Sequence, residues 1–153
     1  MKRILVCIVM LITGLSACKK RSDFDPEKQA ALDEQEIQKF ITAKNLNAQQ
    51  HSTGLYYVIS NPGSGNITYN ANTTVKVKYT GRFLSGGIFE QNTIEYAVRG
   101  FIDGWKIGIP LIQKGGKIRL LIPSGLAYGE GGQGSIPGNT VLDFDIELLD
   151  VTN

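Results

Sequence analysis

The side chains that most often carry out covalent chemistry are nearly missing from this chain. His51 is its one histidine, and its 2 cysteines, Cys7 and Cys18, both precede residue 19. A Cys/His zinc site is therefore excluded, as is a disulfide framework. A Ser-His-Asp or Cys-His relay would have to depend on His51, which precedes the glycine- and aromatic-rich part of the chain. Aromatic surface is plentiful instead, with 6 Phe, 6 Tyr and 1 Trp. Aromatic groups can hold an apolar ring and strip water from a polar bond beside it, chemistry that requires no proton transfer. An isolated Trp or Phe is more often plain core, so their placement has to decide.

At 153 residues and 42% hydrophobic the chain amounts to one domain with a sizeable core and a short appendage. Its 16 Lys and Arg stand against 14 Asp and Glu, and Lys2 and Arg3 fall in a segment expected to be removed, which brings the remainder to neutrality. No bulk basic excess remains of the kind phosphate backbones attract, so nucleic acid is not an expected partner.

The first residues read as a leader. Lys2-Arg3 is followed by the apolar run Ile4–Ile12, too short to span a bilayer and suited to a secretory signal core. Leu15-Ser16-Ala17-Cys18 then resembles the bacterial lipobox. The expected organisation is a lipoprotein signal peptide over 1–17, a tether over 18–25 lipidated on Cys18, an N-terminal helix over 26–47 and the main domain over 54–153. Two or more acyl chains make such an anchor stable, at about 0.8 kcal/mol per buried CH₂.

Asp25 can cap a helix and Pro26 suits its first turn. Good helix formers follow to Lys44, with Ala30, Ile37, Phe40, Ile41 and Lys44 recurring at helical steps, and Asn45 and Asn47 end the run. This helix is expected to pack on its own domain or to be solvated, the alternative being a partner surface. Near Gly54 the composition changes: 17 of the 18 glycines and 11 of the aromatic residues lie from there on. Strands are expected at Leu55–Ile59, Thr74–Leu84, from Ile88-Phe89, at Ile94–Val98, Lys117–Ile122 and Val141–Val151, most with alternating apolar positions. In the last of these, Leu142, Phe144, Ile146 and Leu148 share one face and Asp143, Asp145 and Glu147 the other. Only Phe101–Ile112 looks helical, and Pro110 should end or kink it.

Several stretches resemble the FK506-binding (FKBP-type) peptidyl-prolyl isomerases. They are Val75–Gly81, Gly86–Glu90, Phe101–Trp105, Gly115–Lys117, Ile122–Gly129, Ile136-Pro137 and Leu142–Leu148, and they occur in the family's order. The helix and lipobox ahead of them are similar to the lipoprotein members of this family in the Bacteroidota. The resemblance implies an α+β fold, a twisted antiparallel β-sheet of five or six strands wrapped on one short α-helix, with the N-terminal helix as an addition. It implies an apolar pocket with Trp105 as its floor and Tyr79, Phe89 and Phe144 as walls. Tyr128 would point its hydroxyl at a substrate carbonyl, and Glu90 would stand where the family commonly has Asp. Ile94, Phe101, Ile102 and Ile136 would complete the substrate-binding surface. The implied partners are proline-containing polypeptides, FK506-like macrolides and the membrane through Cys18, with no cofactor or metal, at a periplasm-facing site in the bacterial cell envelope.

The residues suit that activity on physical grounds. An X-Pro bond isomerises over tens to hundreds of seconds behind a barrier of about 18–20 kcal/mol, and the barrier is amide resonance. Lowering it requires a site that binds the twisted imide better than the planar one, not a nucleophile or base. A lipid-anchored chaperone or assembly adaptor with little turnover is the alternative, but an adaptor need not keep the pocket aromatic. Departures from the family pattern are Glu90, the short segment Gln91–Thr93, Ile94 where an aromatic is common, and Gln133 where some members have His.

Overall fold

A computed structural model describes residues 24–153; the leader, Cys18 and most of the tether lie outside them. In chain order the elements are helix α1 (Pro26–Lys44), strands β1 (Gln49–Gln50), β2 (Tyr56–Asn61), β3 (Thr74–Phe83) and β4 (Ile88–Ala97), helix α2 (Asp103–Gly108), and strands β5 (Lys117–Ile122) and β6 (Leu142–Thr152). The strands form one six-stranded sheet in the order β1-β2-β5-β6-β3-β4, and every neighbouring pair is antiparallel.

Alternation sorts the sheet into two faces. In β3, Val75, Val77 and Tyr79 are buried while Lys76 and Lys78 are exposed, as a half-buried strand of period two requires. The register sets Val77 opposite Leu148, Tyr79 opposite Ile146 and Gly81 opposite Phe144, and Leu120 of β5 opposite the same Phe144. The inner face closes on α2 and the main core: Leu55, Val75, Val77, Trp105, Ile109, Leu120, Ile122, Leu142 and Leu148 belong to one buried cluster.

Helix α2 sits unusually close to β5, and its glycines are the reason. A Cβ on Gly104 would lie 2.5 Å from Ile122 Cγ2, and one on Gly108 would lie 2.6 Å from both Leu120 methyl groups. The helix is shorter than the Phe101–Ile112 reading. After Gly108 the backbone tightens into a 3₁₀ turn, Ile109–Leu111, which contains Pro110.

Helix α1 packs on the outer face. Asp25 Oδ1 accepts from the Glu27 and Lys28 N–H groups at 3.0 and 3.1 Å, and Asn45 closes the helix with a left-handed φ of 51°. Ile37 forms a second cluster with Tyr56, Leu121 and Val141, flanked by Phe40, Ile41, Leu46, Ala48 and Leu84. The buried stripe is rotated from the expected one. Ala30 and Lys44 are exposed, and the side chains that leave solvent are Asp33 and Ile37.

Three further differences have local causes. Strand β1 is only two residues, paired Gln49 to Tyr57 and Gln50 to Tyr56, too short to show a period. The two readings Ile88-Phe89 and Ile94–Val98 merge into one strand, β4, with Val98 turned into a 3₁₀ turn. Asp143 is buried at 2% exposure although it lies on the polar face of β6. Arg119 binds it bidentately at 2.8 and 2.7 Å, and Phe40 of α1 covers the Arg119 guanidinium at 5.5 Å.

The α2–β5 contact generates the first prediction. Gly104→Ala should destabilise the protein by about 1–3 kcal/mol through overpacking, because Ile122 is β-branched and fully buried and cannot turn aside. Urea unfolding with an unchanged m-value checks it, and equal or greater stability would show that α2 can lift from the sheet.

Candidate functional site

The inner face of the sheet and the start of α2 deliver aromatic rings from separate segments to one place. Tyr79 comes from the middle of β3, Phe144 from β6 opposite Gly81, two residues further along β3, Trp105 from the first turn of α2 and Phe101 from the turn before it. Tyr79 meets Trp105 edge to face at 4.9 Å and 82°. Phe144 meets Trp105 at 5.2 Å and 87°, and Phe101 lies tilted on Trp105 at 4.9 Å. Such edge-to-face pairs contribute about 0.5–1.5 kcal/mol each beyond area burial and hold the rings in fixed orientations.

These rings enclose a pocket of about 230 Å³ lined by Tyr79, Glu90, Ile94, Gly100, Phe101, Ile102, Trp105, Tyr128 and Phe144. That is below the roughly 300–1,000 Å³ typical of drug-sized sites, so it suits a single side chain of a longer ligand. A larger hollow of about 350 Å³ on the outer face is lined by Leu46, Lys78, Thr80, Lys117, Arg119, Asp145 and Glu147 among others. It is edged by charges already engaged in ion pairs, Lys117 with Glu147 and Arg119 with Asp143, and the aromatic rings do not converge there.

The polar groups at the pocket are few. The Trp105 indole N–H is buried without a hydrogen-bond partner, one of two such side-chain atoms among the described residues. An unpaired buried donor costs about 1–3 kcal/mol. Burial pushes the Tyr79 phenol well above its ordinary range, and the Glu90 carboxylate beside it acts in the same direction. The Tyr128 phenol is raised by burial first and by Glu90 second. Both phenols therefore remain protonated donors at neutral pH.

Tyr128 follows the turn Ser124–Leu126, and the Ser124 carbonyl accepts from Ala127 N–H at 3.0 Å and Gly129 N–H at 2.8 Å on either side of it. Gly129 has a positive φ of 58°, which glycine adopts without strain.

Of the residues singled out in the sequence, Tyr79, Glu90, Ile94, Phe101, Ile102, Trp105, Tyr128 and Phe144 line this one pocket. Phe89 and Ile136 are not among its lining residues. Phe89 stacks behind the wall, 5.5 Å and 85° from Phe144 and 5.2 Å from Phe83. Ile136, 8% exposed, belongs to the long glycine-rich loop 129–138 and turns into the main core. Gly81 makes room for this second layer, since a Cβ there would lie 2.6 Å from the Phe89 ring and 2.7 Å from Phe144. Gly100 is a lining residue that sequence reasoning missed. A Cβ there would lie 1.9 Å from the Tyr96 ring, and the glycine ahead of Phe101 was the available signal. His51 bonds to Thr53 and does not line the pocket. Cys18 lies outside the described residues.

A six-stranded antiparallel sheet wrapped on a short helix, with an aromatic pocket between them, defines an FKBP-like protein. Residues 65–149 match the family described as FKBP-type peptidyl-prolyl cis-trans isomerase. The chain belongs to that family. It is 41% identical over 115 residues to a probable FKBP-type peptidyl-prolyl cis-trans isomerase of Haemophilus influenzae, covering 71% of this chain and 47% of the relative. It is 36% identical over 141 residues to FkpA of Escherichia coli, covering 89% of this chain and 51% of the relative. The chain thus spans about half the length of these relatives. The crystal structure of E. coli FkpA superposes with a TM-score of 0.71 at 37% identity, covering 82% of this chain and 62% of that one. A peptidyl-prolyl cis-trans isomerase from Pseudomonas syringae superposes with a TM-score of 0.68 at 30% identity, covering 86% and 99%.

The buried phenols set a stability limit at high pH. An unfolded tyrosine ionises near pH 10, whereas burial pushes Tyr69 to about 12, and burial with the Glu34 bond pushes Tyr56 to about 12. Folded pKa values above the unfolded one mean that unfolding releases protons in that interval. Their contribution should be complete below pH 10 and lost progressively between about pH 10 and 12. The urea midpoint followed across that range checks this, and Tyr56→Phe should flatten part of the decline.

Proposed function

We propose that the chain catalyses cis-trans isomerisation of X-Pro peptide bonds in secreted or envelope proteins. The observation that carries this reading is the convergence of Tyr79, Phe101, Trp105, Tyr128 and Phe144 on a pocket sized for one side chain. A proline ring seated over Trp105 leaves its imide at the rim, away from the water that stabilises the planar, charge-separated form. As the bond twists, the carbonyl swings toward the Tyr128 hydroxyl, which donates to it. A bond made in the twisted state and not in the planar one lowers the barrier directly. Phe89 and Ile136 support the walls from behind, and Ile94, Phe101 and Ile102 bear on the residues flanking the proline. An FK506-like macrolide would place its proline-like ring in the same pocket and lie across the rim.

The cellular setting belongs to the same proposal. Leu15-Ser16-Ala17-Cys18 supports lipidation at Cys18 and a position facing the periplasm. Among the described residues no helix is long and apolar enough to cross a membrane. Cys18→Ala should leave the precursor uncleaved and without acyl label while the domain still folds; normal maturation of that variant would refute the anchor.

A protease-coupled assay on a proline-containing peptide, with and without FK506, tests the activity. Trp105→Ala should lower kcat/KM at least about tenfold, which is roughly 1.4 kcal/mol of transition-state binding. Glu90 is exposed at the pocket edge, and Glu90→Ala should change the rate little. The reverse ranking would make the carboxylate catalytic. Activity should also be flat between about pH 6 and 8 and unaffected by His51→Ala, since the site phenols hold their protons through that range.

A further inference from the structure

Asp33 is a fully buried carboxyl group on α1, 1% exposed, and the site just described does not use it. Its Oδ2 accepts from the Ser124 N–H at 2.7 Å and from the Ser124 hydroxyl at 2.6 Å, and its Oδ1 accepts from Gln29 Nε2 at 2.7 Å. Ser124 is itself 2% exposed and separated from Asp33 by most of the chain. A buried carboxyl group with this many donors is directional in a way apolar packing is not.

What Ser124 holds gives the contact its meaning. Its carbonyl accepts from Ala127 N–H and Gly129 N–H, the two residues that bracket Tyr128. The Gly129 carbonyl then accepts from Asn139 N–H at 2.7 Å, which ties in the far end of the long loop. A continuous set of hydrogen bonds therefore runs from α1 through Ser124 to the peptides on both sides of Tyr128. Ile37, Phe40 and Ile41 press α1 onto β2, β5 and the segment around Val141, but none of these contacts reaches the 124–129 segment.

We propose that Asp33 is a positioning residue for Tyr128, so that α1 is part of the isomerase site and not only an addition to the domain. Through Ser124 it fixes the turn that sets the Tyr128 hydroxyl at the pocket mouth. The inference rests on the reading of Tyr128 as the donor to the substrate carbonyl.

The test uses the full-length chain and compares Asp33→Ala, Asp33→Asn, Ser124→Ala and Ile37→Ala, with Asp33→Ala also placed in a Tyr128→Phe background. Asp33→Ala should lower kcat about fivefold to tenfold on a proline-containing peptide and change KM less than about twofold. Asp33→Asn should recover most of that loss, since its amide oxygen still accepts from Ser124. In the Tyr128→Phe background Asp33→Ala should add nothing, because the group it positions is already gone. Ser124→Ala should shift kcat in the same direction and serves if Asp33→Ala fails to fold. Ile37→Ala loosens the helix elsewhere and should lower stability with kcat retained. The inference is overturned if Asp33→Ala costs the same factor with Tyr or Phe at 128, or if Ile37→Ala reproduces the kcat loss. If the unmodified chain does not isomerise the peptide, the functional reading fails separately and amide exchange decides the positioning. Exchange at Ala127 and Gly129 at least about tenfold faster in Asp33→Ala and unchanged in Ile37→Ala supports it; equal rates in wild type and Asp33→Ala refute it.

Discussion

Helix α2 meets β5 at two positions, Gly104 and Gly108, where it has no side chain of its own to hold it away from Ile122 and Leu120. Because the helix lies this low, Trp105 between those glycines enters the pocket as its floor and comes within edge-to-face distance of Tyr79 and Phe144. A helix raised by one methyl layer would carry Trp105 with it and open gaps on both walls. The same logic recurs at Gly81, where the missing side chain admits Phe89 behind Phe144. The pocket is thus shaped as much by absent Cβ atoms as by the rings that line it.

The two faces of the sheet do different work. The inner face is apolar and its phenols stay neutral, so the pocket offers a dry surface and a few fixed donors. The outer face carries the buried polar chemistry: Asp143 in its fork with Arg119, Tyr56 between Glu34 and Gln38, and Asp33 on Ser124. Hydrophobic contact alone would leave α1 free to slide over Leu121 and Val141. The polar contacts have defined geometry and set its register.

Much of the inner face was legible because alternation is a local property. Tyr79 and Phe144 fall on the buried parity of β3 and β6, and the motifs around Trp105 and Tyr128 name their own segments. Less legible was whatever depends on what covers the other parity. Asp143 reads as a solvent-facing position, and only the arrival of Phe40 over Arg119 makes it interior. Asp33 reads as an ordinary polar helix residue because its partner, Ser124, is remote in sequence. Phe89 has the opposite parity to Glu90 and Ile94, the β4 residues that line the pocket; the register shifts beside it, between Gly81 and Arg82, and its ring stacks on Phe83 and Phe144. Depth within a layer and contacts between layers leave no periodic trace.

The strand order has a consequence for how the molecule comes into being. β6 is the last strand to be synthesised and lies between β5 and β3, at the centre of the sheet. Before it emerges, β1-β2-β5 and β3-β4 are two ribbons with no shared ladder, and the inner core lacks Leu142, Phe144, Ile146 and Leu148. Native pairing must then close loops as long as that between Val77 and Leu148, the slow, non-local kind of contact. Assembly is therefore deferred until translation of the domain is complete. Until then the two ribbons have no strand between them, and the ladders that make them one sheet cannot form.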